Sequence, residues 1–376
     1  MKAFLTACLL LLFRTAACAQ QPLTSINPGQ DWPDTNGIHI NAHGGCVIYD
    51  NGLYYWYGEN RPSFGFTTEK GVEVYSSADL INWTDCGVAL AVSDEPGSPI
   101  ERGCIMERPK VMKSKEGKYV MLFHLELKSR GYEAALTGFA ESNTPTGPFR
   151  FVRALRPNPG IWPADFTQSD IDQTLSLNEQ NYPQSWTPEW KDAVKKGLYL
   201  KRDLPGGQMS RDMTIFTDDD GTAYHIYAAE DNLTLNLAEL TPDLLGYTGH
   251  YIRIAPCGQN EAPAMFKRNG QYWLITSGCT GWEPNEARMF KADSVWGPWQ
   301  QLPTPFTGDG ADKSFRSQGC FIFKIEGTDD AFIFMADRWN PRNLKASRHI
   351  WLPIHFSADG TPVIRWTDSW SPADLR

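Results

Sequence analysis

The sequence is poor in the features that mark several protein classes. Its eight cysteines in 376 residues include no Cys-x-x-Cys pair, which argues against a zinc ribbon, and a chain of this length needs no disulfide framework to hold a core. Basic residues never run longer than two and are outnumbered, 35 Lys+Arg against 44 Asp+Glu, for a formal charge of −9. Phosphate binding needs clustered Lys and Arg, so no nucleic-acid partner is expected. No apolar stretch reaches 18 residues, so no membrane span is expected either. Aromatics and turn formers are abundant: 14 Trp, 14 Tyr, 19 Phe, 32 Gly and 26 Pro. That composition belongs to a folded, turn-rich chain rather than a disordered one.

The first residues read as an export signal. Lys2 forms a short basic region, residues 4–13 an apolar stretch, and Ala17-Cys18-Ala19 a small-residue cleavage site. Residues 1–19 are therefore expected to be a signal peptide and 20–376 the mature protein, exported to the periplasm or the extracellular space. Cleavage there takes the formal charge from −9 to −11, because Lys2 and Arg14 leave with the leader. Thr15-Ala16-Ala17-Cys18 also resembles a lipid-attachment box, in which Cys18 would be acylated and tether the chain. The remaining cysteines, Cys46, Cys86, Cys104, Cys257, Cys279 and Cys320, stand 18 to 153 residues apart and leave pairing open.

One pattern recurs along the chain: an apolar strand, a tight turn, and a second apolar strand. Residues 46–57 show it first, around Asn51-Gly52, a pair suited to the positive φ angles of a hairpin turn. It returns around Gly117, Gly221, Asn269-Gly270 and, with a longer turn, Gly327. Each hairpin precedes a further apolar pair of strands and an aromatic at a turn, as in Asn82-Trp83 or Gly297-Pro298-Trp299. Four strands repeated five times predict an all-β, five-bladed propeller forming one catalytic unit. The turn glycines lie 49 to 65 residues apart except for 104 between Gly117 and Gly221. The excess maps to an insert at 155–210, between blades two and three, with one predicted helix of about ten residues from Thr187 as N-cap to Gly197. A long loop on a propeller face is expected to wall the functional pocket.

Polar residues at the start of each inner hairpin converge on a propeller's axis. These positions hold His43-Gly44-Gly45, Glu107-Arg108-Pro109, Arg211-Asp212, Glu261-Ala262-Pro263 and Ser317-Gln318. Three carboxylates and an amide placed before apolar strands, where burying a charge is expensive, predict one polar pocket. Glycosidic hydrolysis needs an acid on the leaving oxygen and a base or nucleophile across the sugar, which suits paired carboxyls. Trp282 and Trp339, each following an inner hairpin, are candidate platforms for the apolar face of a sugar.

The runs HINAHGG (39–45), YYWYGE (54–59), ERPKV (107–111), RDMTIFTDDDG (211–221), EAPAMFKRNGQYW (261–273), TSGCTGWEPN (276–285) and SQG (317–319) resemble glycoside hydrolase family 43, in the branch containing the exo-β-1,3-galactanases. The resemblance implies a five-bladed propeller that inverts anomeric configuration and removes terminal galactose from β-galactan or arabinogalactan. It implies Glu261 as general acid, with Asp212 orienting it and raising its proton affinity. Gln318 matches the position to which the base role is attributed in that branch, and Glu107 is the alternative base. An ordinary amide is a very poor base, so Gln318 would act only as its imidic tautomer or by positioning water. The wider family places an aspartate base in the first blade, where this chain has Ala42-His43-Gly44-Gly45. Glu59, Glu230 and Trp282 match substrate contacts, and His43, Gly44 and Trp339 are further candidates. Some relatives carry a calcium ion in the channel; no ligand cluster in this sequence demands one, and neither metal nor cofactor is expected. The expected partner is an oligo- or polysaccharide, met by a monomer. Two other functions stay open at this point: an α-L-arabinofuranosidase or β-xylosidase-like enzyme of the same fold, and a carbohydrate-binding propeller without catalysis.

Overall fold

The forecast hairpins form, and each recruits two more strands. The computed structural model describes residues 21–375, so the expected signal peptide and Cys18 lie outside the described residues. Blade 1 is β1 (His43–Asp50), β2 (Leu53–Glu59), β3 (Gly71–Ser77) and β4 (Thr84–Ala91). Blade 2 is β5 (Ile105–Lys113), β6 (Tyr119–Glu126), β7 (Leu136–Ser142) and β8 (Arg150–Leu155). Blade 3 is β9 (Met213–Thr217), β10 (Ala223–Ala229), β11 (Thr234–Leu240) and β12 (Tyr247–Ile254), and blade 4 is β13 (Asn260–Arg268), β14 (Gln271–Gly278), β15 (Arg288–Ala292) and β16 (Gln300–Leu302). Blade 5 adds a strand: β17 (Phe306–Thr307) pairs in parallel with β21 (Pro362–Arg365), outside β20 (Arg348–Phe356), β19 (Phe332–Arg338) and β18 (Gln318–Lys324). The innermost strands β1, β5, β9, β13 and β18 surround the axis, and β1 packs on β18 to close the ring. This is the expected five-bladed propeller.

The turn chemistry acts where it was read. Asn51 and Gly52 have φ of 50° and 89°, and Asn269 and Gly270 have 51° and 76°, the left-handed pair that matches strand twist in a two-residue hairpin. The seam between blades 1 and 5 is built from indoles. Trp32, Trp56, Trp83, Trp351 and Trp370 share one buried cluster. Trp32 Nε1 donates to the Ile81 carbonyl at 2.9 Å and Trp370 Nε1 to that of Trp351 at 2.9 Å, which satisfies donors that burial would otherwise strand. Ile26 exchanges backbone bonds with Trp370 at 2.8 and 3.1 Å and so ties the N-terminal segment to the chain's end. Among the described residues all six cysteines are free thiols, and no helix is long and apolar enough to cross a membrane.

The insert holds three helices where one was predicted: α1 (Gln168–Ser176), α2 (Pro188–Lys195) and α3 (Leu198–Asp203). The forecast helix is α2, with Thr187 as N-cap. A capping box between Thr167 and Asp170 starts α1 and was legible, though unread. The helices enclose a small core of Leu177, Trp190, Ala193, Val194, Leu198 and Leu233. They lean on β12, the outermost strand of blade 3, where Arg253 donates to the carbonyls of Val194 at 2.9 Å and Lys195 at 2.8 Å. The insert does not wall the pocket as expected; none of its residues lines the cavity described below. Its apolar helix faces are satisfied by one another and by the outer face of blade 3.

Candidate active site

Four of the five polar runs predicted to converge do so through a distortion of their strand, and the Arg211-Asp212 run lies directly before the regular β9. Register shifts fall at His43/Cys46 in β1, Glu107/Lys110 in β5, Glu261/Ala264 in β13 and Gly319/Phe321 in β18. In the first three the residue after the polar one has positive φ: Gly44 58°, Arg108 55°, Ala262 51°. A bulge re-aims the side chain before it and leaves backbone groups outside the ladder. Lys110, fully buried, satisfies two of them: its Nζ donates to the carbonyls of Gly44 at 2.8 Å and Arg108 at 3.2 Å. Burial pushes this ammonium down to about 8.

Arg108 is the hub. Its backbone N–H donates to Glu59 Oε1 at 2.8 Å, its Nη1 to the Gly319 carbonyl at 2.9 Å and its Nη2 to Gln318 Oε1 at 2.7 Å. The same Nη2 lies 2.9 Å from Asp212 Oδ2. The guanidinium thus links blades 2, 3 and 5 around the cavity, a use that a lysine point charge could not replace, and the backbone amide adds blade 1.

Glu261, Asp212, Glu107 and Gln318 all line one cavity of about 280 Å3, joined by Trp282 and Trp339. Burial, then the charge of Asp212, raises the Glu261 carboxyl to about 7, against Arg108. Its Oε1 accepts from Asn232 Nδ2 at 2.7 Å. Glu261 is therefore poised to carry a proton near neutral pH, which a general acid needs.

Glu107 and Gln318 differ in what their oxygens have left to offer. Gln318 Oε1 accepts from Arg108 and, at 2.9 Å, from Trp339 Nε1, and both partners are donors only, so the carbonyl oxygen must face them. Its two lone pairs are occupied, and an imidic hydroxyl there would point at two donors. Glu107 Oε1 accepts from Arg61 and Tyr132, each at 2.9 Å, while Oε2 meets His124 Nδ1 at 3.1 Å. One of its four acceptor positions remains. Burial opposes its charge, but Arg61 and then His124 hold the carboxyl well below the usual carboxylate range. His124 lies between Glu107 and Glu126, whose Oε1 is 2.8 Å from Nε2; these partners outweigh burial and push the ring up to about 9.

The mouth is aromatic. Trp282 stands edge-on to Trp339 with centroids 5.7 Å apart and stacks on Phe66 from blade 1 at 6.0 Å and 12°. Arg61 sits 5.5 Å from the Trp339 ring centroid.

Four residues expected to touch substrate stand behind the cavity wall. His43 Nδ1 is 2.8 Å from Asp337 Oδ1, Gly44 N donates to Asp337 Oδ2 at 2.7 Å, and burial lowers His43 to about 4, outweighing Asp337. Glu59 is buried, pairs with Arg61 Nε and receives the Arg108 amide; burial, aided by the charge of Glu107 and opposed by Arg61, raises it to about 7. Glu230 is wholly buried in a bidentate pair with Arg253 at 2.7 and 2.8 Å, where it fastens the insert. The bulges and the ring turn these polar groups onto internal partners. Among the described residues His43, Asp337 and His349 bring ligand-type atoms within 4.8 Å of one another. The distances of 2.8 and 3.1 Å from the two Nδ1 atoms to Asp337 Oδ1 are hydrogen bonds, and the group clamps blades 1 and 5 together.

The cavity also holds Arg61, Arg108, His124, Tyr132, Arg211 and Asn232, none singled out from the sequence. Arg108 stood in plain view inside the ERPK run. Asn232 closes a turn in which Glu230, Asp231 and Asn232 have φ of 52°, 56° and 64°, a strained geometry that Asn and Asp tolerate best.

The model of "Glycosyl hydrolases family 43" matches residues 166–362. A solved family-43 β-1,3-galactosidase, determined with galactodeoxynojirimycin, is 54% identical with a TM-score of 0.90, over 92% of this chain and 100% of that one. An exo-β-1,3-galactanase of Phanerochaete chrysosporium, solved with β-1,3-galactotriose, is 30% identical with a TM-score of 0.72, over 92% of this chain and 68% of that one. A β-D-galactofuranosidase of Aspergillus niger is 34% identical over 131 residues, 34% of this chain. The chain spans 37% of that curated relative's length.

Proposed function

The chain belongs to family 43 of the glycosyl hydrolases, and from that premise we propose that it is an exo-acting, inverting glycosidase that releases terminal galactose from β-1,3-galactan or arabinogalactan. The observation that carries this reading is the Glu261 carboxyl, raised to about 7 by burial and by Asp212 inside a cavity with room for a terminal sugar. Glu261 protonates the departing oxygen; Asp212, held by Arg108, keeps that proton in place until then. On the other side, Glu107 offers its free lone pair to the attacking water, while Gln318 fixes Arg108 and Trp339. A weakly basic carboxylate suffices because water gains acidity only as it bonds to an oxocarbenium-like carbon. Trp282 and Phe66 receive the apolar face of the sugar beyond the cleaved bond. A binding-only propeller has no use for an acid with elevated proton affinity.

The proposal extends to export, supported by the pattern of residues 1–19, and to action as a monomer. The test is product analysis on β-1,3-galacto-oligosaccharides beside aryl β-galactopyranoside, β-galactofuranoside and α-arabinofuranoside. Galactose released singly from the non-reducing end, first seen as the α anomer by NMR, supports the reading. Turnover confined to either furanoside would replace the substrate; binding without turnover on all would make the chain a lectin.

A further inference from the structure

A second cavity, of about 200 Å3, adjoins the catalytic one and shares Gly281, Trp282, Gln318 and Trp339 as a common wall. Its far side carries two cations, Arg316 and Arg338. Arg338 Nη2 donates to the Phe315 carbonyl at 2.8 Å, and its buried Nε has no partner. Burial and then the charge of Arg316 lower the proton affinity of Arg338, so the two guanidinium groups repel one another. Among the described residues neither forms an ion pair with a carboxylate, although Asp337 and Glu283 also line the cavity. Asp337 has given its oxygens to His43, His349 and Gly44, and Glu283 is exposed at the rim. Like charges facing one cavity raise the free energy of the empty site and favour an anion there.

The backbone fixes where Arg316 stands. Ser314, Phe315 and Arg316 have φ of 49°, 54° and 60°, three successive non-glycine residues in the left-handed region. Each is a sterically costly conformation for a residue with a Cβ, and such strain persists where surroundings impose it. They do: Ser314 Oγ donates to the Asn285 carbonyl at 2.9 Å and accepts the Ala287 amide at 2.8 Å, while Phe315 is buried against Phe306 and Trp366. The result is an exposed Arg316 side chain held at the cavity without a protein partner.

Resting on the exo-galactosidase reading, we propose that this cavity is a subsite for an anionic substituent of the glycan, a uronate carboxylate or a sulfate ester, held between Arg316 and Arg338 while the terminal sugar fills the catalytic cavity. Substrate specificity then includes a charge that the hydrolytic step does not use.

The experiment compares kcat/KM on β-1,3-galacto-oligosaccharides that are unsubstituted, glucuronosyl-substituted or sulfated on the first two sugars. In parallel, the same substituted oligosaccharides are titrated against the Glu261→Gln protein. The expected result is an advantage of about tenfold for one or both acidic substrates at low salt, the size of one charge-assisted hydrogen bond, shrinking in high salt. The acidic-to-neutral ratio should fall at least about fivefold in Arg316→Asn, chosen because asparagine accepts positive φ, and in Arg338→Gln. Whichever acid shows the larger ratio identifies the source. A ratio near one in the wild-type protein, or one unchanged in a folded Arg316→Asn, overturns the inference. If neutral galactan is not cleaved at all, the activity reading fails, and the titration still decides the subsite by whether Arg316→Asn weakens the acidic ligand.

Discussion

The backbone amide of Ala262 donates to Asp212 Oδ2 at 3.0 Å, which anchors that carboxylate beside the residue preceding Ala262, Glu261. Burial and, after it, the Asp212 charge hold Glu261 at about 7. Activity on unactivated β-1,3 linkages should therefore decline as pH rises through about 7. Asp212→Asn removes a negative neighbour, lowers the proton affinity of Glu261 and moves that alkaline limb to lower pH, with kcat down at least about tenfold. A kcat–pH series on both proteins checks this; a limb moving upward would take Asp212 out of its role.

Glu261→Gln should reduce kcat on natural linkages by about 10²- to 10⁴-fold and leave sugar binding within roughly tenfold, with a smaller loss on aryl galactosides, whose leaving group needs no proton. Equal losses on both substrate types would remove Glu261 as the acid.

The same substitution should alter stability with a definite sign. A carboxyl whose folded value is raised from 4.5 to about 7 contributes stability in full below 4.5 and loses it as pH rises through about 7. Gln suffers no such loss. Glu261→Gln should thus be more stable than the parent at pH 8.5, by on the order of 1–3 kcal/mol, with the difference gone at pH 4. Denaturant titrations at the two pH values measure it.

For the base, Glu107→Ala should lower kcat by about 10²- to 10⁴-fold and be partly rescued by azide, whereas Gln318→Ala should mainly raise KM by freeing Arg108 and Trp339. His124→Gln removes a cation that keeps Glu107 ionised, so the acidic limb of its rate profile should move to higher pH. The reverse pattern, with rescue confined to Gln318→Ala, would return the base role to the amide.

Glu230→Gln leaves Arg253 buried beside a neutral partner and should cost about 3–5 kcal/mol of stability in thermal or urea unfolding, with kcat/KM nearly unchanged at permissive temperature. A selective rise in KM without loss of stability would restore Glu230 as a sugar contact.

How much of this was legible follows from range. Asn51-Gly52, Asn269-Gly270 and the alternation around them act within a few residues, so hairpins, blade count and the insert could be read directly. The residues opening the inner strands are equally visible, and their equivalent positions in the repeats bring Glu107, Asp212, Glu261 and Gln318 together from sequence alone. The sequence by itself determined that polar groups would meet at one end of the axis. It did not determine which of them would face the cavity. His43 finds Asp337 across 294 positions of chain and Arg108 finds Gln318 across 210, pairings that exist only once β1 has closed on β18. Glu230 turns to Arg253, and the insert's helices pack outward, because buried charge and apolar surface are satisfied by whatever the closed ring brings near. Only the tertiary structure decided, strand by strand, where a bulge would aim a side chain, since a bulge answers to partners on other blades rather than to its own neighbours in sequence.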